Sequence, residues 1–424
     1  MNIFDHNVIT EQSSKLKKFL FFILILLMGK GCDFFIEIDP RTNIIGTLLL
    51  VVPLILVTMR EKPYYLKGSR AVVVIVLYLV WFAYHVSIDV AYPTYQGVKL
   101  LSLIIFGIIT ARYYGTHIGE YYEYIVAGLT LLALLLWGVE LVIGPNTMGA
   151  LAPFSNAYHV YTKSFGLYSV TTHFDAESAF LGLPRNKGFC WEPGMFASMI
   201  VLALTFNVLR SGAKFYKGHN FWILVVGLIT TFSTTGFISL AVLLLFKTAV
   251  GEASFGKKMA YTLILVLLVF LALDLPFMRE KIIAQSSFDD FFTNSTNVYV
   301  GETGYRTVER FEGMYLSWLN LIDKPWLGYG PNPANSIVSQ QFPMFIISNG
   351  NVNPLAMFGI ILGIPLFVLL YKGTVKLSEQ YRTSTIYLMF VIIMMFSVSY
   401  NFMNDIIILS IAFVTFCKNS YNYE

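Results

Sequence analysis

FWILVVGLITTFSTTGFISLAVLLLF, residues 221–246, is the stretch on which the fold turns. Its length suits one long helix across a bilayer, for which about 20 apolar residues are enough. Its flanks argue for two. Arg210, Lys214 and Lys217 precede it, and Lys247, Lys257 and Lys258 follow it. A single crossing would put one of these basic clusters outside, against the tendency of Lys and Arg to remain on the cytoplasmic side. Two short helices meeting at Ser233-Thr234-Thr235-Gly236 keep both clusters inside and turn the polar tip outward.

The composition of the whole chain agrees with a membrane setting. Hydrophobic residues make up 56%, charged residues 13%, and the mean hydropathy is +0.65, so most of the chain belongs in lipid rather than around one water-soluble core. Apolar runs at about 19–36, 44–58, 71–88, 98–111, 124–143, 189–208, 221–232, 236–246, 260–277, 353–371, 384–400 and 405–417 predict an all-α polytopic membrane protein with about 12 transmembrane helices. It forms one integral membrane domain over 1–424. The segments this places inside (1–18, 59–70, 112–123, 209–219, 247–258, 372–382 and 418–424) hold 18 of the 29 Lys and Arg, so both termini are expected in the cytoplasm. Lys15, Lys17 and Lys18 precede the first run without a small-residue cleavage site after it, which reads as a retained span. The net charge of +4 is spread through short loops with no basic block interleaved with aromatics, so nucleic acid is not an expected partner. Cys32, Cys190 and Cys417 stand apart with no metal-ligand spacing, so they read as packing residues and no metal site is expected.

Two long external loops remain, at about 145–188 and 278–352, and long ordered loops are usually functional. The first carries His159, His173, Asp175 and Glu177 and runs into Pro184-Arg185-Asn186-Lys187-Gly188-Phe189-Cys190-Trp191-Glu192-Pro193. Here two cations and a carboxylate meet the start of an apolar run. An acid entering a bilayer is costly and usually faces a cavity with a partner, which makes Glu192 and Arg185 the first candidates for chemistry. The second loop holds Arg279, then Arg306, Glu309, Arg310 and Glu312 at helical spacing, and closes on Lys324-Pro325-Trp326-Leu327-Gly328-Tyr329-Gly330. Cations from the two loops could clamp one anion.

The order Arg-x-x-Gly-x-x-x-Glu-Pro at 185–193, Ser-x-x-Gly at 233–236, and Arg310 followed by Pro325-x-x-Gly328-x-Gly330 resembles the Wzy-type O-antigen polymerases and, more distantly, the O-antigen ligases. The resemblance covers about 185–365. Where the ligases have a His-Asn-type pair ahead of a glycine, this chain has Ser348-Asn349 ahead of Gly359. It also has Glu192-Pro193 in place of Asn-Pro, and Thr234 where an Arg would follow the serine. The polymerase is the better match, with the ligase as the alternative.

The resemblance implies a C-type glycosyltransferase-like architecture in the bacterial inner membrane. It also implies a reaction at the outer face, in which a growing glycan passes from undecaprenyl diphosphate to a sugar hydroxyl of a lipid-linked repeat unit. The donor linkage stores the energy, no cofactor is called for, and a chain-length-determining copolymerase is a possible partner. Arg185 and Arg310 suit the leaving diphosphate through permanent charge and bidentate geometry, with Arg306 and Arg279 in support. The acceptor hydroxyl needs a proton acceptor within reach, for which Glu192 is best placed and Glu177 second. Ser233, Thr235, Ser348 and Asn349 complete the expected substrate-binding set.

The same residues admit structural readings. Arg185 and Glu192 could pair to hold the loop against the bundle, Arg310 could belong to a solvated helix face, and the 233–236 tip could supply only caps and a turn. A flippase or other transporter of lipid-linked oligosaccharide, which would favour charges near the membrane midplane, is a second class of function. A non-catalytic assembly partner is a third.

Overall fold

The structure is a computed structural model. It describes residues 3–38, 68–88, 94–156, 161–172, 182–250, 310–341, 350–381, 385–398 and 405–417, with 256, 259, 263, 306–307, 345–346 and 401. These residues are mostly helical. Among the described residues, four stretches are long and apolar enough to cross a membrane, Arg70–Ile88, Gln96–Ile143, Pro193–Ser211 and Asn353–Gln380, and shorter apolar helices occupy His219–Thr230, Thr234–Lys247, Leu388–Ser397 and Ile406–Phe416. The 48 residues of Gln96–Ile143 exceed one crossing. A three-residue 3-10 turn at Gly115–His117, with Gly115 at φ +55°, separates its helices Thr94–Tyr114 and Ile118–Ile143. The run expected at 44–58 lies outside the described residues, as does 260–277 apart from residue 263.

The stretch 221–246 is broken where its polar residues sit. The His219–Thr230 helix stops, Phe232 takes a left-handed φ of +45°, and the next helix begins at Thr234. The first apolar run is likewise cut at Lys30, whose φ is +49°, between helices Ile3–Gly29 and Asp33–Ile38.

The chain forms two compact units, one from 1–64 and 109–233, the other from 65–108 and 234–424. The first is built around Pro193–Ser211, in which every side chain from Met195 to Leu209 is buried. Ile118–Ile143 and His219–Thr230 pack against it and against each other, and Ile3–Gly29 packs on Ile118–Ile143. At Gly227 a methyl group would lie 2.1 Å from Thr130 Cγ2, so only glycine permits this close approach. Polar residues within the buried helix return their protons to the preceding turn, Ser198 to Gly194 O at 2.9 Å and Thr205 to Val201 O at 2.8 Å. The described residues of the expected external loop 145–188 include regular structure. The loop begins with a helix, Pro145–Leu151, and contains an antiparallel pair, Thr162–Ser164 with Ser169–Thr171.

The second unit is organised by Asn353–Gln380, which is interrupted at Gly359 (φ +68°, ψ 175°). The interruption strands backbone groups, and the loop 325–330 satisfies them. Tyr329 N donates to Ala356 O (3.0 Å), Gly330 N to Met357 O (3.1 Å), Ile360 N to Pro325 O (2.8 Å) and Ile361 N to Trp326 O (3.2 Å). Trp81 Nε1 and His85 Nε2 both reach Leu327 O, at 2.8 and 3.0 Å. Tyr78, Trp81, Tyr329, Met357 and Phe358 form the core of this joint. Ile406–Phe413 crosses Asn353–Gln380 closely at Gly373, where a methyl group would lie 1.9 Å from Ile411 O.

Candidate functional site

The loop 184–192 is held by neighbours on three sides within the first unit. Asn186 N and Nδ2 donate to Thr230 O and Oγ1, each at 3.0 Å, and Arg185 Nε donates to Thr231 O at 3.0 Å. These carbonyls belong to the end of a helix, where the last turn lacks intrahelical donors and the dipole favours a cation. Trp137 Nε1 donates to Pro184 O at 2.9 Å. On the far side Trp191 N reaches Gly29 O at 3.2 Å, and Cys190 bridges Lys30 in antiparallel fashion. Gly188, at φ +54°, accepts Ser169 N on its carbonyl at 2.7 Å.

Charges are layered in this loop. Arg185 and Glu192 are half-buried, whereas Asn186 and Lys187 between them are buried, Lys187 to 7% exposure. Lys187 Nζ donates to Thr162 Oγ1 of the hairpin at 2.8 Å. Burial pushes its ammonium down to about 8, opposed by the attraction of Glu140, assisted by repulsion from Arg185, and opposed again by Glu192. Lys187 therefore feels all three neighbouring charges. Buried Glu140 accepts a hydrogen bond of 2.5 Å from Tyr168. Burial and the charge of Glu140 hold the Tyr168 phenol well above its ordinary value, so it stays a donor.

Glu192 occupies the N-cap position of Pro193–Ser211 in extended conformation, its carbonyl accepting the first helical bond from Phe196 N at 3.2 Å while its side chain does not cap. A carboxylate at this end of a helix is electrostatically favoured. Pro193 suits the first helical position because its missing N–H has no helical partner there anyway. The chain thus presents a half-buried cation and a half-buried carboxylate on either side of a buried ammonium.

The other expected residues fall as follows. Ser233 is buried in the break after His219–Thr230, two residues beyond the carbonyl that Arg185 holds, and Thr235 lies in the first turn of Thr234–Val250. Arg310, half-buried, is the first residue of Arg310–Asp323 in the second unit. The helical spacing expected to unite Arg306 with Arg310 does not form. Arg306–Thr307 is a strand paired in parallel with Phe345–Ile346, because the helix starts only at Arg310. Gly328 and Gly330 serve the joint at Gly359. Arg279, Glu177, Ser348 and Asn349, with His159 and His173, lie outside the described residues. Cys32, Cys190 and Cys417 are all buried. Glu140 and Tyr168 are the members of the cluster that motif reading misses, and Lys187 was read only as the second cation of the stretch. The available signal was an acid near the end of an apolar run together with a second cation two residues after Arg185.

No protein-family model matches the chain, and no curated protein matches it. Its function has to be read from its own residues.

Proposed function

We propose that the chain is a polysaccharide polymerase of the inner membrane, crossing the bilayer about 12 times, with the 184–192 loop at the outer face. It transfers a growing glycan from undecaprenyl diphosphate to a hydroxyl of an incoming lipid-linked repeat unit. The bond between the anomeric carbon and the diphosphate oxygen breaks, a bond from that carbon to the acceptor oxygen forms, and undecaprenyl diphosphate leaves. Glu192 accepts the acceptor proton and Arg185 binds the diphosphate. Arg310 has the same anion-binding role in its own unit, where its charge adds to the positive end of a helix dipole.

The observation that carries this reading is the 184–192 loop itself. Half-buried Arg185 and Glu192 are accessible, and Lys187, Glu140 and Tyr168 beneath them are tied to the hairpin and the helices. That arrangement supplies a cation for a leaving phosphate and a carboxylate for a hydroxyl proton, both on a rigid support.

The test is reconstitution of the purified protein in liposomes with undecaprenyl-diphosphate-linked repeat units. Products of two or more repeats on one carrier, with matching release of undecaprenyl diphosphate, are expected. Glu192→Gln should lower their formation at least about 100-fold. Repeat units that stay single with the wild-type protein contradict the proposal.

A further inference from the structure

A second site lies at the opposite end of the first unit and is independent of the reaction above. Glu192 and Arg210 bracket the Pro193–Ser211 helix, which at 1.5 Å per residue puts about 27 Å between them, close to the thickness of a bilayer core. Beside Arg210 is a cavity of about 880 Å³, whose lining includes Lys17, Lys18, Tyr113, His117, Glu120 and Arg210. That volume lies within the range of small-molecule sites, about 300 to 1,000 Å³.

The polar corner of this cavity is rigidly built. Buried Glu123 takes Arg210 on one oxygen, Nη2 at 2.9 Å and Nε at 3.1 Å, and Asn207 and Asn220 on the other at 2.8 and 3.1 Å. Glu120 lies 3.9 Å from Arg210 Nη1 and 3.3 Å from His117 Nδ1. The Lys17 ammonium stands 5.0 Å from the centre of the Tyr113 ring, and Tyr114 OH donates to Lys17 O at 2.9 Å, which fixes the Ile3–Gly29 helix at this corner. Three permanent cations, Lys17, Lys18 and Arg210, thus meet two carboxylates, Glu120 and Glu123. Among the described residues, cations outnumber carboxylates at this corner by one.

The rest of the wall is apolar and open. Phe19 is 58% exposed and Tyr124 68% exposed, and Phe22 and Ile125 lie with them in the lining. A cationic corner beside an apolar, outward-open wall matches an amphiphile with a single anionic head group. It does not match a small soluble anion, which would have no use for the wall. Residues 1–18 and 209–219, with three Lys or Arg each, are also segments expected on the cytoplasmic side, where acidic lipids attract such clusters.

We propose that this cavity binds the phosphodiester head group of an acidic phospholipid of the cytoplasmic leaflet, with the acyl chains running along Phe19, Phe22 and Tyr124. The full-length protein, purified in neutral detergent, is titrated with dioleoylphosphatidylglycerol, with dioleoylphosphatidylcholine and with inorganic phosphate, and binding is followed by native mass spectrometry. Saturable binding of one phosphatidylglycerol is expected, with phosphatidylcholine at least about tenfold weaker and millimolar phosphate unable to compete. The double variant Lys17→Ala/Lys18→Ala should bind about 30-fold more weakly, each lysine near a lipid surface contributing about fivefold. Lys17→Arg/Lys18→Arg, which keeps the charge, should stay within about threefold of wild type. Equal binding of the two lipids, undiminished binding by the alanine variant, or competition by inorganic phosphate that reveals a soluble ligand instead would each overturn the proposal.

Discussion

Lys187 is the residue whose environment has the clearest consequence in solution. Its folded value of about 8 lies below the 10.5 of a free lysine, so between these limits the unfolded chain holds more protons than the folded one. Stability should therefore rise with pH from about 8 to 10.5, by up to about 3 kcal/mol. Below about 8 the cost of the buried ammonium is fully present. Thermal midpoints of wild type and Lys187→Met across that window check this, since the variant should lack the added rise. Gly188 offers a steric test in the same loop. At φ +54° an added methyl group would stand 2.5 Å from the buried Phe196 ring, so Gly188→Ala should cost about 2 to 3 kcal/mol, read as a lower thermal midpoint. Arg185 and Glu192 were legible in the sequence because charges at the mouth of an apolar run are rare and expensive. Glu140 and Tyr168 were not, since they stand 28 residues apart and only the fold joins them to each other and to Lys187.

At the scale of elements, polar interruptions were the readable signal. Ser233, Thr234 and Gly236 marked the break in 221–246, whereas the run 19–36 was expected as one span and is divided at Lys30. The hairpin at 162–171 was not readable, because three-residue strands of Thr, Lys, Ser and Val carry too little alternation to stand out from a polar loop. The glycines at 328 and 330 were recognisable as turn residues, but not the helix interruption they complete. There the loop 325–330 and the helix around Gly359 exchange four backbone hydrogen bonds. A methyl group at Gly328 (φ +71°) would lie 2.2 Å from Met357 O, so Gly328→Ala has no small side-chain movement to relieve it. A loss of about 3 kcal/mol or more is expected, seen as poor recovery of folded protein. Trp81→Phe removes one of two donors to Leu327 O and should cost only about 1 kcal/mol. Similar losses from the two variants would mean that the joint is not what holds this unit together.

For the whole molecule, the topology and the function are the claims at stake. The proposed topology puts both basic flanks of 221–246 on the same side. Cysteines introduced as Lys217→Cys and Lys257→Cys should be protected from an impermeant thiol reagent added outside, while Thr235→Cys reacts. The three native cysteines are buried and contribute little background. Labelling of one flank but not the other would restore a single crossing. The most direct measurement of function is the polysaccharide ladder of a strain lacking this protein, complemented with wild type or with Glu192→Gln at equal membrane levels. The wild type should restore the ladder, and Glu192→Gln should leave a single repeat unit on the lipid core. A full ladder from Glu192→Gln would remove that carboxylate from the reaction, and loss of even the single unit in the deletion strain would point to a ligase or a flippase in place of a polymerase.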